Sequence, residues 1–251
     1  MMRSCSPWAL LPPAFSVGTA AGLWLVYFIA VDDKKIVPLG SQYRSRNGSL
    51  YPPFISIAGN FPPASCIFSQ VMNLAAFVGF LIAVLRYFQL KHTVNMAGLN
   101  VASLVVFSLG CFGMTLIGNF QLFYQQRIHN LGTSLTFGLG TLFCWIQSYI
   151  TLKANLRNEG KKVGVIRFLL SASITVCAVL YPLLLSQGIR MPAARCQWAL
   201  VMFFILFFGT FAVEFRHYTF GVHVACTENS GHPVSTMGTF SELSGSQSDQ
   251  L

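Results

Sequence analysis

Six apolar runs, none interrupted by a charge, restrict this chain more than any other feature: Trp8–Val31, Ala64–Leu85, a core within Thr93–Gln126, Asn130–Leu152, Phe168–Ile189 and Cys196–Val213. A bilayer core about 30 Å thick needs about 20 apolar residues in a helix to cross it. Each run meets or approaches that length. Composition agrees, because 54% of the 251 residues are apolar and 9% are charged, whereas soluble domains carry about a quarter charged. The runs predict an all-α fold: a polytopic membrane protein, a six-helix transmembrane bundle with cytoplasmic termini. The spans fall at about 8–31, 65–88, 97–119, 130–152, 168–189 and 196–213, followed by a disordered Ser/Thr/Gly-rich tail at 214–251. The first run follows Arg3 as a signal peptide would, but it is too long for a signal h-region and has no small-x-small cleavage site, so it stays as a span.

Orientation is read from Tyr51–Gln70 and its surroundings. Pro52-Pro53 and Pro62-Pro63 remove backbone donors and push their neighbours out of the helical region, so Tyr51–Ala64 is expected to be extended or turned, with helix resuming after Pro63 and Ser65 as its N-cap. Just upstream is Asn47-Gly48-Ser49, the one Asn-x-Ser/Thr sequon in the chain. A glycan at Asn47 is possible only on the lumenal or extracellular side. Lys and Arg are nearly balanced over the two sides, nine against seven. The decision falls to the fourth loop, where Lys153, Arg157, Lys161, Lys162 and Arg167 stand against Glu159 and mark the cytoplasmic face. The same cations suit the anionic lipids of an inner leaflet, and with them the net charge of +9 is a membrane-surface signal and not a nucleic-acid stripe.

Small residues at four-residue spacing make packing faces on span one (Gly18, Gly22), span two (Ala75, Gly79, Ala83) and span four (Gly132, Thr136, Gly140). The amides Asn73, Asn119 and Gln147 are the candidate polar lining of a path through the bundle; interhelical hydrogen bonding is the alternative reading of each. Ser171, Ser173 and Thr175 can bond back to their own helix, and Pro182 should kink it. Cys66 and Cys196 both fall at the outer boundary, where a disulfide or two free thiols are equally open to the chain. The ending Ser248-Asp249-Gln250-Leu251 has the form of a PDZ ligand and equally that of an ordinary flexible end. The acids and histidines all fall outside the predicted spans, and no spacing suits a catalytic group, a cofactor or a metal, so no enzymatic chemistry is expected.

The phrases PFISIAGNFPPASCIFSQVMN, GNFQ, HNLGTSLTFGLGTLFCWIQ, LSASIT and GTFAVEFRHY together resemble the transmembrane-150 branch of the six-span DRAM/Frag/Sfk superfamily, over about residues 8–218. The first-span phrase GLWLVYFIAV, the Asn-Glu-Gly of the fourth loop and the Ser-Asp-Gln-Leu ending resemble its C-type members most. That resemblance implies a plasma-membrane or endolysosomal protein that is a component or modulator of a mechanically activated, slowly inactivating cation channel, acting as a homo-oligomer or with other channel subunits. Other branches imply a membrane scaffold, for autophagy control or for assembly of a phosphatidylinositol 4-kinase complex.

Overall fold

The computed structural model describes residues 6–42, 50–91, 96–156 and 159–218, and the statements below concern these residues. Asn47, Arg157 and everything beyond Tyr218, including the PDZ-like end, lie outside them. Helix α1 (Leu11–Asp32) follows a 3-10 turn at Pro7–Leu10, and a one-turn helix α2 (Ile55–Ala58) interrupts the proline-rich segment. Then come α3 (Ala64–Lys91), α4 (Ala97–Asn119), α5 (Gln126–Ser134), a π-helical turn (Leu135–Leu139) and α6 (Gly140–Ala154). Helices α7 (Gly160–Ser186), α8 (Arg190–Gly209) and the short α9 (Ala212–Phe215) complete the chain. Six stretches are long and apolar enough to cross a membrane, with α5, the π turn and α6 forming one of them.

The spans pack in a ring: α1 on α3, α3 on α4, α4 on the α5–α6 unit, α6 on α7, α7 on α8, and α8 back on α1. The Ser6 amide donates to the Arg216 carbonyl, which places both ends of the described chain at one pole. We call this the terminal pole and its opposite the loop pole. Each pole has its own buried core. Leu23, Tyr27, Ile55, Phe68 and Trp198 fill the loop pole; Ile82, Phe107, Phe143, Phe208, Phe211 and Phe215 fill the terminal pole.

The Pro-Pro segment is a plug for the loop pole. Its turns satisfy part of its backbone, with the Phe54, Ile57, Ala58, Gly59 and Asn60 amides donating to carbonyls within the segment, and side chains from the helices take polar groups that those turns leave, as buried backbone groups require. Trp198 Nε1 donates to the Pro53 carbonyl at 2.9 Å and Gln197 Oε1 accepts the Ile55 amide at 2.9 Å, while the segment's own Asn60 Oδ1 accepts the amide of Phe123, in the turn after α4, at 2.9 Å. Arg195 Nε and the Tyr27 hydroxyl hold the carbonyl and the amide of Leu39 in the same way. The segment is thus turned and extended as expected, apart from the single turn of α2.

Two local expectations need correction, and one pairing left open is answered. Helix α3 begins at Ala64, so Ser65 lies within its first turn, buried, and is not the cap. Helix α7 begins at Gly160, well before the expected start at residue 168, and so takes Arg167 into the bundle. Cys66 and Cys196 are not joined: both are free thiols, Cys66 exposed and Cys196 with Sγ 3.4 Å from the Cys177 carbonyl.

Candidate functional site

The chemically richest place in the bundle is a buried charge cluster at the terminal pole. Arg86 comes from the last turns of α3, Arg167 from the second turn of α7, and Glu214 from α9, just past the apolar run of α8. Arg86 and Arg167 are 0% exposed and Glu214 is 4% exposed. Charges sited at the membrane-facing ends of three separate spans must pair, because an isolated charge there costs several kcal/mol. Arg167 Nη2 lies 2.6 Å from Glu214 Oε2 and Arg86 Nη2 lies 2.8 Å from Oε1.

The remaining guanidinium donors are met by neutral groups. Arg86 Nη1 donates to Gln89 Oε1 (2.7 Å), Nε to Gln147 Oε1 (3.1 Å) and Nη2 to Thr151 Oγ1 (3.3 Å). Arg167 Nε donates to Thr210 Oγ1 (2.8 Å) and Nη1 to Thr151 Oγ1. Gln89 Nε2 reaches the Glu214 carbonyl and Gln147 Nε2 donates to Ser103 Oγ at 2.7 Å. Both guanidinium groups also lie over the Phe211 ring, Arg167 at 4.2 Å and Arg86 at 5.6 Å from its centroid, where a desolvated cation is favoured by the ring quadrupole. The site holds one carboxylate between two cations and has no free base or nucleophile. It ties α3, α6, α7 and the end of α8 together.

A second, exposed cluster lies nearby. Glu159 pairs with Arg216 and with His217. Partial desolvation alone would raise the Glu159 carboxyl, but the His217 hydrogen bond and the Arg216 guanidinium outweigh it and hold that carboxyl below its ordinary range.

The expected site residues are scattered. Asn73 and Asn119 pair with each other, Nδ2 to Oδ1 at 2.9 Å and in the reverse sense at 3.1 Å, on the partly exposed flank of α3 and α4. Gln147 is buried in the charge cluster at the other pole, so the three amides line no common path. Of the fourth-loop cations, Lys153, Lys161 and Lys162 are exposed, but Arg167 is the buried partner of Glu214. Ser173 and Thr175 bond back to their own helix, while Ser171 Oγ instead meets Ser148 Oγ at 3.0 Å. The placement of every acid and histidine outside the spans is also corrected: Glu214 is buried, and His129 lies in α5, with Nδ1 2.7 Å from the Phe120 carbonyl and Nε2 2.8 Å from Ser56 Oγ. Sequence reasoning missed the Arg86–Glu214–Arg167 cluster because each member merely flanks an apolar run. The available signal was that all three sit within about two helical turns of a run and on the same predicted side of the membrane.

The whole described architecture, residues 7–218, matches the family model described as Frag1/DRAM/Sfk1/Cwh43P N-terminal domain. The chain is 36% identical to the modulator of macroautophagy TMEM150B of Danio rerio over 228 residues, 91% of this chain and 93% of that one. It is 33% identical to the Homo sapiens protein of the same name over 208 residues, 82% of this chain and 85% of that one. To transmembrane protein 150A of Homo sapiens it is 29% identical over 228 residues, 83% of each chain. No solved structure matches the chain. With the matched region running from the first 3-10 turn to three residues beyond α9, the chain is a six-span membrane protein of the Frag1/DRAM/Sfk1 family, within its transmembrane-150 group.

Proposed function

We propose that this protein is a membrane-embedded modulator that acts on other components, and not a pore formed by one chain. The observation that carries this reading is the closure of the ring at the terminal pole. Phe107, Phe143 and Phe208 stack there with centroids 4.4 to 5.6 Å apart, and the Arg86–Glu214–Arg167 cluster is packed against them through Phe211. An ion crossing a bilayer needs carbonyls, carboxylates or water in place of its hydration shell. Among the described residues, the one carboxylate buried inside the ring is already held by two arginines. The modulated process is macroautophagy, the role in the names of the TMEM150B relatives, with the protein resident in endolysosomal or plasma membrane. The terminal pole faces the cytosol, where Lys153, Lys161 and Lys162 meet anionic lipid and the C-terminus meets PDZ-type partners.

The test is deletion and re-expression, with lysosomal turnover of an autophagosome membrane marker as readout. Turnover should change on deletion and return with the wild-type chain. No change under either fed or starved conditions would remove the autophagy reading.

A second reading is that the same chain modulates a mechanically activated, slowly inactivating cation current. It is favoured by the cavity of about 240 Å³ that α5 and α7 line at the loop pole, since a bundle with a gap can change its in-plane area under tension. Stretch-evoked current should then differ between cells with and without the protein, while purified protein in liposomes gives none. Robust cation current from the purified chain alone would overturn the modulator proposal itself.

A further inference from the structure

Two cavities meet inside the bundle, a central one that reaches from the loop-pole core to the Phe107 and Phe208 rings of the terminal-pole core and an outer one at the loop pole. The central one, about 100 Å³, runs along the ring axis with Leu23, Phe68, Met114, Phe137, Val201 and Phe208 among its walls. The outer one, about 240 Å³, sits where α5 and α7 part, and it is lined by Gln126, His129, Asn130, Tyr181 and Leu185. Ser56, Thr133 and Gln197 belong to both walls, so the two meet there. The π-helical turn widens the span at this level and puts Thr136 and Phe137 in the central wall. Such turns are frequent at functional sites.

The walls specify what fits. The central cavity is apolar and smaller than the roughly 150 Å³ that holds one benzene ring dry, so it admits a narrow alkyl chain and no fused-ring system. The outer cavity has amides, the hydroxyls of Ser56, Thr133 and Tyr181 and an imidazole in its wall, and no Asp, Glu, Lys or Arg among its lining residues. Both His129 nitrogens are occupied, by the Phe120 carbonyl and by Ser56 Oγ. Gln197 is 3% exposed, and its Oε1 is taken by the Ile55 amide, which leaves the Nε2 donor of a side chain that lines both cavities. Neutral donors and no cation select a neutral head with an ester or hydroxyl oxygen over a phosphate or a free carboxylate.

We propose that these cavities form a binding site for a single lipid alkyl chain bearing a neutral, hydrogen-bonding head. The chain enters between α5 and α7 and lies along the ring axis, and the head oxygen accepts from Gln197 Nε2. A free monoacyl lipid and a neutral diacyl lipid of the bilayer both present these ester and alkyl groups.

The experiment uses the full chain in lipid nanodiscs with two photoreactive probes, a monoacylglycerol and a diacylglycerol, each carrying a diazirine near the end of one acyl chain. After irradiation, labelled residues are read by mass spectrometry. Label is expected at cavity residues such as Thr19, Ala75, Met114 and Val201, as well as at lipid-facing Val176 and Leu183. Thr133→Phe, which fills the junction, should lower the cavity label by about tenfold, what losing 1.4 kcal/mol of binding gives, with no change at Val176 and Leu183. Because Thr133 Oγ1 also bonds the His129 carbonyl, Val201→Phe on α8 provides a second block that leaves this bond intact. Unlabelled monoacylglycerol should compete, and which probe labels the cavity tells a free lipid from a bilayer lipid. Label confined to Val176 and Leu183, or cavity label unmoved by both variants, overturns the site. Equal cavity label from a diazirine alkane without a head overturns the role given to Gln197.

Discussion

Glu214 is where one side chain decides most. Its carboxylate sits between Arg86 and Arg167, all three buried, and Coulomb attraction between such groups roughly offsets what it costs to desolvate them. Removing the anion is not offset by anything, since two guanidinium groups would then face each other inside the bundle. Glu214→Gln should therefore destabilise the protein by about 3–5 kcal/mol, measured as a lower unfolding midpoint in detergent, while Glu214→Asp loses less. Glu159→Gln in the exposed cluster is the control and should stay near wild type, because solvent screens that pair. The sign of its pH dependence also follows. The Glu159 carboxyl is held below its ordinary range, so its contribution is present above that range and disappears as pH falls through the lowered value. Equal midpoints for Glu214→Gln and Glu159→Gln would mean that the buried cluster is not what fastens the terminal pole. None of this was legible in the chain, where Arg167 reads as one more loop cation. Only the early start of α7 turns it inward.

At the scale of helices, small-residue spacing told where close contacts could form but not which of them do. On α5, Gly132 faces Gly113 of α4 so closely that a Cβ at either would lie 2.7 to 2.8 Å from the other's carbonyl oxygen. Gly22 abuts Val71, yet Gly18, its partner in the same motif, has nothing within 4 Å. The motif repeats every four residues on one face, and whether that face meets a neighbour along its whole length depends on crossing geometry that the sequence does not encode locally. Gly132→Ala should thus weaken the α4–α5 contact, whose backbones cannot both stay in place, whereas Gly18→Ala should be neutral or slightly stabilising because Ala favours helix. Thermal unfolding in detergent distinguishes the two. A Gly132→Ala protein as stable as wild type would show that α4 and α5 are not held at this distance. The unpaired state of Cys66 and Cys196 was equally beyond the sequence, which could place both at one boundary but not give their separation or direction.

For the whole molecule, the number of spans was written in the six charge-free runs, and the ring order of the helices was not. Run length follows from bilayer thickness alone, while the ring depends on contacts between residues far apart in sequence, such as Ser16 Oγ donating to the Ile205 carbonyl. Which pole faces the cytosol is a separate question, and it matters because the lipid site opens at the loop pole while the charge cluster and the exposed lysines Lys153, Lys161 and Lys162 lie at the other. Two independent features agree on the answer. The dense fourth-loop lysines Lys153, Lys161 and Lys162 fall at the terminal pole, as the positive-inside rule asks of a cytosolic face, and the sequon Asn47-Gly48-Ser49 falls in the connection between α1 and α2, whose described flanks at Leu39 and Tyr51 are at the loop pole. The expectation is that Asn47 carries a glycan in mammalian cells and that Asn47→Gln abolishes a glycosidase-sensitive mobility shift. A cysteine placed at Lys161 should at the same time resist a membrane-impermeant maleimide in intact cells and react after permeabilisation. If Asn47 is unmodified and the Lys161 position reacts from outside, the bundle is inverted. The lipid cavity would then be loaded from the cytosolic leaflet, and the PDZ-like end would face away from every PDZ domain.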